Sequence, residues 1–219
     1  MCIRDRFGIQ AAADMIKAGS AETILIVDPE ICSGHLDFKD RDCHFIFGDV
    51  CTAMILEKKS SSNSSNSFEI LSTKCITQFS NNIRNNFGFL NNAKQSGPLD
   101  RDMLFMQEGR KVFKEVVPMV SQLILDHLSD ETIEIDNVKR LWLHQANKSM
   151  NDLIGKKVLG RTPEKDEQPN ILQDYANTSS AGSIIAFSQY SKDMNKDEIG
   201  VLCSFGAGYS AGSVILRKT

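Results

Sequence analysis

Apolar residues along the chain fall into two kinds of pattern, helical spacing and short unbroken runs, and the two kinds take turns. From Phe7, "FGIQAAADMIKAGSAETILIV" predicts an amphipathic helix, a Gly/Ser break and then a strand. The strand piece "ETILIVDPE" is a continuous apolar run between turn residues, as expected of a strand covered on both faces. "CHFIFGDVCTAMILEKK" reads as two strand-like pieces around Gly48-Asp49. The polar, low-complexity "SSSNSSNS" (60–67) predicts a surface connection, followed by strand-like "FEILSTKCI". An Asn-rich passage through about residue 100 lacks apolar periodicity and reads as a long loop. From Met103, "MLFMQEGRKVFKEVVPMVSQLILDHL" has helical spacing, with Pro118 predicting a kink or a break between two helical pieces.

A strand is predicted over 138–143 and a helix over 148–158, joined by a loop to "ILQDYANTSSAGSIIAFSQY", a polar turn feeding a small-residue helix start. The chain closes with "EIGVLCSFGAGYSAGSVILRK", two apolar runs separated by a glycine-rich turn. This echoes the earlier strand, Phe-Gly turn, strand segment and points to an internal duplication with two similar α/β halves. The first six residues, "MCIRDR", do not fit the helical pattern next to them, which begins uncapped at Phe7. We expect them to be a sequencing scar joined to a truncated gene. The expected organisation is 1–6 scar, 7–102 remnant of a first half, and 103–219 a second half.

With 219 residues, 41% of them hydrophobic, the chain can bury one good core. A formal charge of -3 argues against a nucleic-acid partner, which normally needs a basic face. No apolar run approaches the roughly 20 residues that span a bilayer, and no secretory pattern opens the chain, so a cytoplasmic protein is expected. The 6 cysteines lack CxxC pairs, which points to reduced thiols rather than zinc or disulfides.

Three polar features stand at predicted strand ends: His144, Asn177 and the "SFGAGYSAG" turn. Singly, each has a structural explanation: a hydrogen-bonded histidine, a helix N-cap, and glycines serving positive φ. Together they can do more. A neutral imidazole and a carboxamide both donate hydrogen bonds without bringing charge, which suits a site holding a carbonyl oxygen as it becomes an enolate. A tight glycine turn exposes backbone N–H groups that can serve a tetrahedral intermediate. No nucleophile is evident. Cys203 lies inside an apolar run and reads as core.

"LWLHQAN", "YANTSSAGS" and "CSFGAGYSAGSVILR", in that order, resemble the C-terminal half of the beta-ketoacyl-acyl-carrier-protein synthase III family of condensing enzymes. The wording of the first two motifs is most similar to the beta-ketodecanoyl-carrier-protein synthase branch. The resemblance, which runs from Phe7 to the end, implies a thiolase-like α/β fold layered αβαβα, with an incomplete first half. It implies a Cys-His-Asn triad and a decarboxylative Claisen condensation of an acyl group, taken from acyl-CoA, with malonyl carrier protein, and no cofactor. His144 and Asn177 match the triad's histidine and asparagine. Ala207 matches a backbone oxyanion donor and Phe205 a phenylalanine that shields the site. Lys156, Lys157 and Lys114 match lysines facing the acyl carrier protein, while Ser149 stands where many relatives have arginine. Gly109 falls where the family lines its pantetheine tunnel. The family's cysteine lies a few residues before Phe7, in a register that falls on Arg4 and not on Cys2, so this chain is expected to be inactive. A homodimer is implied, with strands near 23–28 close to the interface.

Two other classes remain open on the residues alone. One is a non-catalytic partner subunit that keeps the fold and the carrier surface. The other, a papain-like hydrolase using Cys203, would need its cysteine at a helix start early in the chain.

Overall fold

The computed structural model describes residues 4–88 and 100–219. Its elements run α1 (Arg4–Lys17), β1 (Thr23–Glu30), β2 (Val50–Glu57), β3 (Phe68–Ser80), β4 (Ile83–Arg84), β5 (Met106–Gln107) and α2 (Gly109–Asp130). Then come β6 (Val138–Leu143), α3 (Lys148–Leu159), α4 (Leu172–Tyr175), α5 (Ala181–Gln189), β7 (Ile199–Gly206) and β8 (Gly208–Lys218). β1 and β2 form an antiparallel pair. A mixed sheet runs in the order β3-β8-β7-β6, with β6 and β7 parallel.

Two cores hold the layers. On one face of the mixed sheet, Leu141, Leu143, Val201, Cys203 and Ile215 meet Val116, Val120 and Ile124 of α2 and Ile154 of α3. On the other face, Trp142, Leu202, Val214 and Leu216 pack against Ile9 of α1 and Ile184 and Ile185 of α5. Ile26, Met54 and Leu56 of the β1–β2 pair close that core from the far side. The described residues therefore stack helix, sheet, helix, sheet, as the expected layering requires. Alternation along β6 explains the division, because Leu141 and Leu143 face one core and Trp142 the other.

Several expected elements are corrected. The segment before Gly48 is not a strand: His44–Ile46 is a short 3-10 turn, and Phe47 makes a single parallel bridge to Asn177. Residues 43–57 thus form no hairpin, and β2 pairs with β1 instead. Pro118 does not break α2, which starts at Gly109 and runs through it. Proline costs one backbone hydrogen bond, but Pro118 is exposed, so the freed carbonyl meets water while Val116, Val117 and Val120 continue the buried stripe. α1 begins at Arg4 rather than Phe7. The Asn-rich passage contains β4, paired with β5, and its stretch 89–99 lies outside the described residues.

Candidate active site

The rim of the mixed sheet carries His144, one residue beyond the end of β6. Its position is fixed by register: β6 runs beside β7 with Leu143 opposite Cys203, and the His144 N–H donates to the Cys203 carbonyl at 2.8 Å. Phe205, two residues along β7, points to the same side and meets the imidazole edge-on, with ring centroids 4.7 Å apart. His144 is buried, and its Nδ1 has no hydrogen-bond partner among the described residues. Burial drives its pKa down to about 4, and the nearby Arg6 charge adds to this, against a backbone hydrogen bond to Ser179. The ring is therefore neutral at physiological pH.

Asn177 reaches the rim from the loop between α4 and α5. It does not cap a helix, since α5 begins at Ala181. Its Oδ1 accepts the Ser179 N–H at 3.0 Å, which turns the amide nitrogen away as a donor. Its backbone is clamped on both sides. The Asn177 N–H donates to the Ile46 carbonyl at 2.8 Å, and its carbonyl accepts the Gly48 N–H at 3.0 Å. Gly48 has to be glycine, because a Cβ there would lie 2.5 Å from the Tyr175 carbonyl oxygen. Ala176 (φ 58) and Ser179 (φ 56) both adopt positive φ, a strained geometry for side-chain-bearing residues of the kind that gathers at functional sites. Ser179 lies beside both side chains, its backbone next to the His144 ring and its N–H donating to Asn177 Oδ1.

Ala207 lies in the tight turn between β7 and β8, where Gly206 pairs with Ser210. Gly208 follows at φ 138, and a Cβ there would come within 2.6 Å of Ser210 Oγ, so the turn depends on glycine. Tyr209 anchors the turn, its hydroxyl accepting from Asn82 Nδ2 at 3.0 Å. Cys203 is core as read: it is buried, and burial pushes its thiol up to about 12. Cys2 lies outside the described residues, and Arg4 pairs with Glu30 at 2.9 Å in the first turn of α1.

The lysines are all exposed. Lys156 and Lys157 occupy the last turn of α3, and Lys114 lies on α2, which packs against α3. Ser149 is exposed in the first turn of α3, and Gly109 is the first residue of α2, with open space around its Cα. Sequence reasoning missed Gly48, Ser179 and Gln145. The motif positions of Gln145, next to His144, and of Ser179, two residues after Asn177, were the available signals, while Gly48 matters through contacts distant in sequence.

Comparison with known proteins gives a consistent picture. Residues 128–218 match the model of the 3-oxoacyl-[acyl-carrier-protein] synthase III C-terminal region, and residues 5–78 match 3-oxoacyl-[acyl-carrier-protein] synthase III. The chain is 60% identical over 217 residues to beta-ketodecanoyl-[acyl-carrier-protein] synthase of Pseudomonas aeruginosa, covering 99% of this chain and 62% of that protein. It is 28% identical to beta-ketoacyl-[acyl-carrier-protein] synthase III of Clostridium botulinum, covering 96% of this chain and 63% of the relative. Among solved structures, a synthase III from Pseudomonas aeruginosa superposes with a TM-score of 0.82 at 22% identity, over 96% of this chain and 63% of that one. The synthase III of Aquifex aeolicus gives 0.80 at 23%, also over 96% and 63%. These likenesses establish the fold. The chain spans 62–63% of the length of these relatives. Among the described residues, no helix is long and apolar enough to cross a membrane.

Proposed function

The chain belongs to the 3-oxoacyl-[acyl-carrier-protein] synthase III family, and from that premise we propose that its site serves decarboxylative Claisen condensation in fatty-acid synthesis. The substrates are an acyl-CoA and malonyl-acyl-carrier protein; the 60% identity to a beta-ketodecanoyl synthase favours a medium-chain acyl group. No cofactor takes part, and the working form is a cytoplasmic homodimer.

The observation that carries this reading is the neutral His144 ring, dry against Phe205, sharing Ser179 with the Asn177 amide. Two uncharged donors are what a developing enolate needs. As the bond from the malonyl α-carbon to its carboxylate breaks and CO2 leaves, the electron pair moves onto the thioester, and His144 and Asn177 bear the growing charge on its oxygen. The enolate carbon then attacks the acyl group held on a cysteine, forming the C–C bond and expelling the thiolate. The Ala207 N–H receives the tetrahedral oxyanion of that second step, and Phe205 keeps water out. Lys156, Lys157 and Lys114 face the acidic carrier protein. Arg4, at the position where the nucleophile is expected, cannot replace a thiol and supplies none of the acylation chemistry.

Malonyl decarboxylation needs only the two donors, so it tests the reading without acylation. CO2 release from malonyl-acyl-carrier protein should fall about 10²–10³-fold in His144→Ala and in Asn177→Ala, the usual loss on removing one such donor. Release unchanged in both variants sinks the assignment.

A further inference from the structure

Gln145 follows His144 directly, is fully buried, and spends its whole carboxamide on backbone. Its Nε2 donates to the Leu143 carbonyl at 2.9 Å and, more weakly, to the Pro169 carbonyl at 3.4 Å. Its Oε1 accepts the Ile171 N–H at 3.1 Å, across a sequence separation of 26. The Ile171 carbonyl in turn accepts the N–H groups of Asp174 at 3.1 Å and Tyr175 at 3.0 Å, which starts α4. α4 ends directly before Ala176 and Asn177.

The stem of Gln145 is pressed from the other side of the loop. A Cβ added at Gly182, in the first turn of α5, would lie 2.9 Å from Gln145 Cβ and 3.2 Å from its Cγ. The same added Cβ would lie 3.2 Å from Thr178 Oγ1, next to Asn177. Gln145 thus grips the segment that enters Asn177 and touches the segment that leaves it, while being covalently next to His144.

We infer that Gln145 is the positioning residue that sets the spacing between the His144 and Asn177 donors, by tying the end of β6 to the 169–171 loop and seating against α5. The inference deepens the proposed condensing chemistry and rests on it for its catalytic consequence. A carboxamide suits the task because it offers donors and an acceptor in one rigid plane and stays uncharged at every working pH. Removing it leaves the Leu143 carbonyl and the Ile171 N–H unpaired in a buried place and frees the loop to shift. A displacement of about 1 Å at a reacting centre costs about 10²-fold in rate.

The test uses the 219-residue chain with Gln145→Met, which keeps the volume and loses the amide, and Gly182→Ala, which pushes hardest on Gln145 and also on Thr178 Oγ1 without touching either donor. Two readouts are taken: NMR signals of the His144 ring and the Asn177 side-chain amide, with His127 and Asn82 as internal controls, and CO2 release from malonyl-acyl-carrier protein. We expect the His144 and Asn177 signals to move in both variants while the controls stay, and kcat to fall about 10²-fold with KM held within about twofold. Gln145→Glu should recover rate as pH falls, since the protonated acid again donates to Leu143 and accepts from Ile171. If the two signals stay put in Gly182→Ala and in folded Gln145→Met, the positioning role is overturned. If they move and the wild-type chain releases no CO2, the positioning role stands and the catalytic reading falls.

Discussion

The imidazole of His144 stands edge-on to the phenyl ring of Phe205, at 86° with centroids 4.7 Å apart. That wall keeps water from the imidazole and is part of the reason the ring stays neutral. With the His144 pKa at about 4, decarboxylation by the wild-type chain should be flat from about pH 7.5 to about 5.5. Phe205→Ala admits water and returns the pKa toward the ordinary value of about 6.5, so its rate should drop as pH falls from about 6.5 to about 5. Parallel pH–rate curves for the two proteins would contradict this.

Gly48 holds the Asn177 backbone at 3.0 Å and has no room for a methyl group. Gly48→Ala should push the 46–48 strap off Asn177, lowering decarboxylation about tenfold or more while costing about 1–3 kcal/mol of stability. Loss of stability with full activity, compared at equal folded protein, would show that the strap does not orient the amide.

Stability should rise with pH between about 5 and about 6.5. His127 and His144 both have folded pKa values of about 4, below the 6.5 of an unfolded histidine, so in this window the unfolded chain binds more protons and neutral pH favours folding. Asp5, raised by burial to about 6 from 3.8, acts in the opposite sense and cancels about one proton. Burial also lowers the His35 pKa, which adds to the rise, so the net slope is positive. His127 bonds Ser213 Oγ at 2.9 Å through Nδ1, and its Nε2 has no partner among the described residues. His127→Gln should flatten the slope and Asp5→Asn should steepen it, measured by urea unfolding at several pH values. Identical slopes in all three proteins would refute the assignment.

Arg6 is fully buried beside Asp5, with 2.8 Å between guanidinium and carboxylate, yet its Nε has no hydrogen-bond partner among the described residues. A buried pair so poorly satisfied seldom repays its desolvation. Asp5→Leu/Arg6→Met together, which keep the volume, should leave stability unchanged or raise it by about 1–4 kcal/mol, and Ser183 and Ser204 still bond each other at 2.7 Å. Arg6→Ala alone should destabilise, because it strands Asp5 near Asp28 and Glu30. A double variant clearly less stable than the parent would show the pair to be favourable.

The repeating periods of the sequence determined most of the elements. Runs such as "RLWL" and "VLCSFG" can be little else than covered strands, and the polar residues directly after them mark the rim of a sheet. His144 and the glycine turn around Ala207 were legible for that reason, since each follows a strand end, whereas Phe205 was read only from the family resemblance. Periodicity carries no information about who clamps whom across the chain. The apolar "HFIF" looked like a strand and became the strap on Asn177, because its carbonyl and N–H groups found partners at 177 rather than in a neighbouring ladder. Pro118 looked like a break and was absorbed, because only the packed structure turns it toward water. What tertiary structure alone decided is which distant backbone groups become the partners of Asn177 and Gln145, and the dry wall that keeps His144 uncharged. Both depend on desolvation and hydrogen-bond satisfaction among residues far apart in the chain, which no local pattern encodes.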